Sequence, residues 1–150
     1  IMPKASVKRL IECNKEQLID LVLDIENYPS FIPYCLNSKV YERKDEENLT
    51  LIIADLTIGK GPFKATYKSE VKFIKNSDTI HVTNIEGPLK YLDNKWFFLE
   101  KGNFTEISFD IDFEIENKFL DIVMSKSFQY GLDKIADSFQ ERANSLFKIK

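Results

Sequence analysis

The last part of the sequence, residues 117–150, most constrains the fold, because its apolar residues recur every three or four positions. This spacing predicts one amphipathic helix of about 30 residues, roughly 45 Å long. The stripe is wider than a coiled-coil seam, so the helix needs a broad apolar surface to lie against. The stripe consists of Leu120, Met124, Phe128, Leu132, Ile135, Phe139, Ala143 and Leu146, widened by Phe119, Val123 and Phe147.

The middle of the sequence predicts such a surface, because strand patterns follow one another there with short polar turns between them. Alternation or turn residues mark strands at 4–12, 37–44, 48–58, 63–73, 79–86, 95–101 and 106–116. Hairpin-length turns indicate antiparallel neighbours. A short helix over 15–26 follows the first strand, with Asn14 and Gln17 as a capping box. We therefore expect one α+β domain over residues 1–150, a curved antiparallel sheet of about seven strands around a long C-terminal helix.

The overall composition is that of an ordinary globular protein. Hydrophobic residues make up 43% and charged residues 30% of the chain, and the formal charge of −3 argues against DNA as a partner. Two cysteines form neither a metal framework nor a disulfide framework, which suits a cytoplasmic protein. The pattern predicts neither a membrane span nor a signal peptide.

Few residues in the sequence suit acid–base chemistry. His81 is the only histidine, which excludes histidine-dependent triads and multi-histidine metal sites. The acidic residues of the last strand share the face that points away from the helix, where Lys8 or Arg9 of the first strand could pair with them. These acidic residues are Asp110, Asp112, Glu114 and Glu116. We expect no catalytic residues, no metal and no covalent cofactor.

One strand has a row of lysines on its charged face. Within residues 60–75 only Glu70 opposes them. Such a row could contact phosphate, in RNA or in lipid headgroups, or it could simply keep the outer face soluble. The lysine stripe comprises Lys60, Lys64, Lys68 and Lys72, with Lys75 beyond it.

Three segments resemble a known family. Residues 28–35 read YPSFIPYC, residues 86–92 read EGPLKYL with Trp96 shortly after, and the last strand runs into NKFL at 117–120. In this order they resemble the coenzyme Q-binding proteins and the related bacterial ribosome-association toxins of the polyketide cyclase/START-like superfamily. Tyr34 stands where that family commonly has Trp, and Leu89 where it commonly has Phe.

The resemblance implies a START-like, Bet v 1-like helix-grip fold with a cavity between helix and sheet. It also implies non-enzymatic binding of a hydrophobic ligand, with ubiquinone as the leading candidate and a role in respiration, at or near the inner membrane as a peripheral protein. The ribosome-association toxins offer an alternative, in which the chain binds the large ribosomal subunit and blocks subunit joining. A cyclase or aromatase activity is a weaker alternative, because the interior offers little acid–base equipment.

The expected ligand wall is aromatic and aliphatic, and core packing is the alternative role for each of its residues. Gly131, inside the helix, could permit a bend or a close approach near the cavity. We expect plain packing for the second half of the helix, from Ile135 to Leu146. The expected ligand-binding residues are Phe31, Pro33, Tyr34, Phe63, Tyr67, Trp96, Phe98, Phe109, Phe113, Phe119, Val123, Met124, Phe128 and Leu132.

Overall fold

The computed structural model describes residues 4–60 and 62–147, without the side chains at 60, 63 and 118–128. Seven strands, two α-helices and two 3₁₀ turns follow one another. The strands are β1 (Lys4–Ile11), β2 (Cys35–Asp45), β3 (Leu49–Lys60), β4 (Phe63–Ile74), β5 (Thr79–Glu86), β6 (Leu89–Lys101) and β7 (Phe104–Ile115). The helices are α1 (Lys15–Leu23) and α2 (Lys118–Phe147), and the 3₁₀ turns are Ile25–Ser30 and Lys75–Ser77.

All seven strands form one antiparallel sheet in the order β1-β7-β6-β5-β4-β3-β2. Each hairpin joins neighbouring strands, and β1 returns to pair with β7, so β1 and β2 are the two edges. The predicted α+β architecture, with seven strands and a long C-terminal helix, is confirmed.

Strand β6 is longer than the sequence pattern indicates, since it begins at Leu89 rather than near 95. The apolar–polar alternation does not reveal the first part of β6, because a polar residue, Asn94, lies buried on the inner face. The Asn94 amide donates to the Asp110 carbonyl at 2.9 Å and accepts from the Trp96 indole at 2.8 Å. These bonds make a buried polar residue tolerable in the middle of an apolar wall.

Helix α1 begins as predicted. The Asn14 side chain accepts from the Gln17 backbone N–H at 2.8 Å, and the Gln17 side chain accepts from the Asn14 N–H at 3.2 Å. The helix ends at Leu23, earlier than the predicted residue 26, because the chain enters the 3₁₀ turn that contains Pro29. The turn directs the following segment toward α2.

Helix α2 lies against the concave, inner face of the sheet. Leu132, Phe139 and Ala143 are buried there, and Phe147 packs against the same core. Leu146 is half-exposed, so the prediction that it belongs to the buried stripe was wrong. At this end of α2 the residue that packs against the core is Phe147.

Arg9 joins the edge strand β1 to α2. Its guanidinium lies 3.2 Å from Asp137 and 3.9 Å from Asp133. The expected pairing of Arg9 with the acidic residues of β7 was therefore wrong, because Arg9 faces the helix side of the sheet and those acids face outward. On the outer face, Lys4 pairs with Asp112 instead.

The opposite edge, β2, is exposed over most of its length and has four charged residues of both signs at positions 42–45. Its pairing with β3 shifts register twice, between 35 and 37 and between 40 and 42. In the part of the chain that is described, no helix combines the length and the apolarity needed to span a bilayer.

Candidate ligand-binding site

The space between the inner face and α2 is partly filled by a cluster of aromatic rings. Phe139 of α2 meets Tyr28, Phe31 and Trp96 edge-on, at ring-centroid distances of 5.6, 5.3 and 5.3 Å. Trp96 in turn meets Phe109 at 4.2 Å. Edge-to-face pairs with ring centroids about 4.5–7 Å apart are favourable, which applies to the three contacts of Phe139. This aromatic cluster fixes the 3₁₀ turn and the second half of α2 on the sheet.

A small apolar cavity lies beside the aromatic cluster. Its volume is about 20 Å³, enough for roughly one water molecule. It lies under α2 between Leu132 and Phe139, and a void of this size is compatible with the plain packing expected from Ile135 to Leu146. The remaining lining includes Val7, Arg9, Ile107 and Phe109.

A second group of inner-face residues is polar. Tyr28, Cys35, Ser38 and Tyr67 form this inner polar cluster, which lies toward the end of the sheet where β2 begins. Ser38 and Tyr67 occupy one row across the sheet, since both pair with Leu56, and their Cα atoms are therefore about 10 Å apart. The buried Ser38 hydroxyl has no hydrogen-bond partner among the described residues.

Burial keeps the inner polar cluster uncharged. It raises the pKa of Tyr67, and it raises the pKa of Tyr28, to which the nearby Tyr67 and Cys35 also contribute. Burial likewise raises the pKa of the Cys35 thiol. The Tyr28 hydroxyl donates to the Val22 carbonyl. At neutral pH these groups offer hydrogen bonds but no charge, no nucleophilic thiolate and no general base.

The EGP segment, residues 86–88, forms the turn between β5 and β6, and this turn requires its glycine. Gly87 has φ +130°, and a Cβ atom there would lie 2.7 Å from the Tyr67 Cβ. Only glycine therefore lets this turn pack against Tyr67. Beyond it, the Pro88 carbonyl accepts from the Glu116 N–H at 3.0 Å, which ties the turn to the start of α2.

The structure brings six of the fourteen expected ligand-binding residues to the inner face of the sheet or to the side of α2 that faces it. Five of them are on strands and pack into or against the core clusters: Tyr67, Trp96, Phe98, Phe109 and Phe113. The sixth, Leu132, is on α2 and is buried in a core cluster with β1. Phe31 belongs to the aromatic cluster, Pro33 is half-buried, and Tyr34 is exposed at the end of the sheet. The side chains of Phe63, Phe119, Val123, Met124 and Phe128 lie outside the described residues.

Sequence reasoning missed three members of the inner polar cluster. Tyr28 and Cys35 stand inside the YPSFIPYC segment, but nothing in their spacing shows that they face the interior. Ser38 shares the inward parity of Val40 on β2, and that parity could have identified it.

Three members of the lysine stripe, Lys64, Lys68 and Lys72, lie on the outer face of β4, as the alternation predicts. Lys72 pairs with Glu70 at 3.2 Å, and the side chain of Lys60 lies outside the described residues. Lys64 is exposed. The ammonium group of Lys68 lies 4.6 Å from the ring centroid of Tyr41, an exposed aromatic residue that the sequence did not place beside the stripe.

His81 also lies on the outer face, with its Nε2 atom 2.5 Å from a carboxylate oxygen of Asp93. It is therefore separated from the space under α2 by the sheet itself. Within the described ranges, no three histidine, cysteine or acidic side chains come together as a metal-ligand set.

A curved antiparallel sheet closed by one long helix over an apolar inner face defines the START-like class of helix-grip proteins. The chain belongs to the family described as polyketide cyclase / dehydrase and lipid transport, whose model matches residues 11–140. The solution structure of an 18 kDa protein from Caulobacter crescentus has this fold, with a TM-score of 0.80 and 25% identity over 97% of this chain and 98% of that one.

Two relatives represent two different biological roles. The ribosome association toxin RatA of Rickettsia prowazekii is 27% identical over 143 residues, covering 93% of this chain and 95% of the toxin. The mitochondrial coenzyme Q-binding protein COQ10 of Dictyostelium discoideum is 29% identical over 134 residues, covering 87% of this chain and 64% of that protein. The three-segment resemblance found in the sequence is thereby confirmed.

Proposed function

We propose that this protein binds an uncharged hydrophobic molecule between its sheet and α2, without catalysing a reaction, and that the ligand is ubiquinone or a similar quinone. In this role it carries or protects the quinone in support of respiration. The observation that supports the proposal most is the chemistry of the inner face. Away from Arg9, whose charge is paired with α2 at the β1 edge, the described inner face is apolar apart from hydrogen-bonding groups that are uncharged at neutral pH.

The inner face suits the two parts of a quinone. An isoprenoid tail gains about 25 cal/mol for each Å² of apolar surface that it removes from water. The quinone ring has carbonyl oxygens, which accept hydrogen bonds, and the Ser38 and Tyr67 hydroxyls can donate them. The absence of a charged base or nucleophile in the inner polar cluster favours binding over a cyclase reaction.

The ligand has to lie toward the first half of α2. The 20 Å³ cavity under the second half is far too small for a quinone, since ligand pockets usually measure about 300–1,000 Å³. We therefore place the ring beside Tyr67 and the tail along Leu92 and Phe113, which form a separate apolar cluster with Tyr67 at its margin.

The first test is to extract lipids from the protein purified from its own host and to identify them by mass spectrometry. Co-purified quinone is the expected result. Repeated absence of quinone and of other lipids, together with no binding of added ubiquinone, would refute the proposal.

The second test uses Trp96, the only tryptophan, as a fluorescent reporter of a short-tailed ubiquinone. Ser38→Ala combined with Tyr67→Phe removes two donors and should weaken binding about tenfold. Ser108→Ala combined with Tyr41→Phe is the matched control, because both hydroxyls lie on the outer face. Equal affinity in the two double variants would show that the inner polar cluster does not hold the ligand.

A second candidate function is association with the large ribosomal subunit through the outer face. The names of several relatives support it. The observation in its favour is Tyr41, an exposed ring with the Lys39 and Lys68 ammonium groups 4.8 and 4.6 Å from its centroid. Lysines beside an exposed ring are typical of surfaces that bind single-stranded RNA.

This candidate is tested by co-sedimentation with large ribosomal subunits. Replacing Lys64, Lys68 and Lys72 by Glu should abolish sedimentation. Replacing Lys8, Lys90 and Lys101 by Glu, all away from Tyr41, is the control with the same change in overall charge. Unchanged sedimentation of the triple variant would exclude this surface.

A further inference from the structure

Four large apolar side chains are exposed together at the end of the sheet where β2 begins and where the hairpins β3–β4 and β5–β6 turn. We call these residues the rim: Tyr34, Leu36, Ile58 and Ile85. The backbone pairing places Tyr34, Leu36 and Ile58 side by side, because Cys35 pairs with Ile58 and the Tyr34 carbonyl accepts from the Gly59 N–H at 3.0 Å. Ile85 lies across β4 from them, opposite Lys68 and Ser69 at the end of β5.

Irregular backbone holds three of the four rim residues in position. Tyr34 has φ 65°, a left-handed conformation that bulky residues rarely adopt. Leu36 is the extra residue of a bulge, because its neighbours at 35 and 37 pair with consecutive residues of β3. Ile85 is the extra residue of another bulge, between positions 84 and 86 of β5. Bulges re-aim side chains out of the regular alternation, and strained residues concentrate at functional sites.

Two of the three segments around the rim are positively charged, and the third, the end of β5, adds the single carboxylate of Glu86 opposite Lys68. Residues 27–41 and 56–69 contain no acidic residue, although the whole chain has a formal charge of −3. Lys64, on the β3–β4 hairpin side of the rim, is exposed and has no ion-pair partner among the described residues. The four lysines of these segments are Lys39, Lys60, Lys64 and Lys68.

We propose that the rim is a membrane-docking surface that inserts into the headgroup region of an anionic lipid bilayer. Exposed leucine and isoleucine gain by entering the acyl boundary, tyrosine favours the interface, and lysines reach the lipid phosphates. RNA phosphates would engage the lysines but would leave the apolar rim in water, so a bilayer fits the whole surface better. The inference deepens the proposed function, because it gives a water-insoluble ligand a route from the bilayer to the adjacent inner polar cluster.

The test uses quinone-free vesicles, so that docking is measured independently of ligand binding. The wild-type protein should co-sediment with vesicles of phosphatidylcholine and phosphatidylglycerol (7:3), and much less with phosphatidylcholine alone. Leu36→Ser combined with Ile85→Ser should weaken binding to the anionic vesicles by about tenfold or more. The matched control is Leu10→Ser with Leu99→Ser at the far end of the outer face, where the side chains are 49% and 56% exposed against 47% for both rim residues.

Equal losses in the two double variants, or no loss in the rim variant, would overturn the proposal. If Lys64→Glu abolished binding while the rim variant bound normally, the surface would be an electrostatic phosphate binder such as an RNA site, and the bilayer proposal would fail. Loss of ubiquinone binding with intact vesicle binding would instead count against the proposed function alone.

A tryptophan substitution keeps the test decisive if the serine variants fold poorly. Leu36→Trp preserves an apolar rim, and its emission should shift to shorter wavelength on anionic vesicles, because the indole enters a less polar environment. Leu99→Trp should show no shift. A shift of equal size in both variants would overturn the proposal.

Discussion

Gly87 determines how closely the β5–β6 turn approaches the inner face. Its φ of +130° and the 2.7 Å approach of a hypothetical Cβ to Tyr67 leave no room for any side chain. The approach places Tyr67 beneath the turn, so a residue of the proposed ligand site is positioned by a glycine that has no side chain of its own.

We predict that Gly87→Ala lowers the free energy of unfolding by about 1–3 kcal/mol, because it adds a steric clash to an unfavourable backbone conformation. Urea denaturation followed by Trp96 fluorescence measures the change. Gly102→Ala is the control: Gly102 also has positive φ, 63°, but a Cβ there would meet nothing within 4 Å. A loss in Gly87→Ala no larger than in Gly102→Ala would contradict the role of Tyr67.

Individual site residues were predictable from sequence only where strand parity applies. Trp96, Phe109 and Phe113 follow the alternation of their strands, so their inward direction was predictable. Tyr34 itself has a positive φ, and neither this conformation nor its exposure can be derived from spacing.

At the scale of elements, α2 has one residue that weakens it locally. A Cβ at Gly131 would meet nothing within 4 Å, so glycine is not required there by close packing. Of the two roles considered for Gly131, a bend or a close approach, the close approach is therefore wrong. The glycine therefore costs helix stability without a packing reason.

We predict that Gly131→Ala raises the free energy of unfolding by up to about 1 kcal/mol, the difference in helix propensity between the two residues. Thermal denaturation followed by circular dichroism measures it. If bending at Gly131 admits the ligand, the same variant should also slow quinone uptake. A destabilised Gly131→Ala variant would show that the backbone at this position is not an ordinary helical one.

Element order and strand count followed from the sequence because hydrophobic periodicity and turn residues report them locally. The start of β6 did not, since Asn94 is polar by sequence yet buried by virtue of its bonds to Asp110 and Trp96. Partners distant in sequence decide such positions, and Arg9, which meets Asp133 and Asp137 more than 100 residues later, is a second example.

For the molecule as a whole, burial of thiols and phenols affects the response to alkaline pH. Burial raises the pKa of Cys13 from 9.0 to about 11 and also raises the pKa values of Cys35, Tyr28 and Tyr67. Each group loses its proton more readily in the unfolded chain than in the folded one. Stability is therefore retained below the unfolded pKa values and falls above them.

We predict that the free energy of unfolding decreases between pH 9 and 11, by as much as about 1.4 kcal/mol per pH unit for each group that ionises only on unfolding. Urea denaturation at a series of pH values measures the slope. In the Cys13→Ala variant the free energy of unfolding should decrease less steeply with pH over this range, because one group that ionises more readily in the unfolded chain has been removed. An unchanged slope in Cys13→Ala would mean that this thiol ionises equally in both states.

The exposed edge strand β2 also has a consequence for how copies of the chain behave at high concentration. An open sheet edge is a template for another strand, and pairing of such edges leads to aggregation. Here Glu42, Arg43, Lys44 and Asp45 line the edge, and two register shifts interrupt its regular row of backbone groups. A strand added along this edge would lose pairing at both bulges and would have to match a changing sign of charge. We therefore expect the β2 edge to resist fibril-like growth, even though α2 packs near the opposite edge, on β1 and β7.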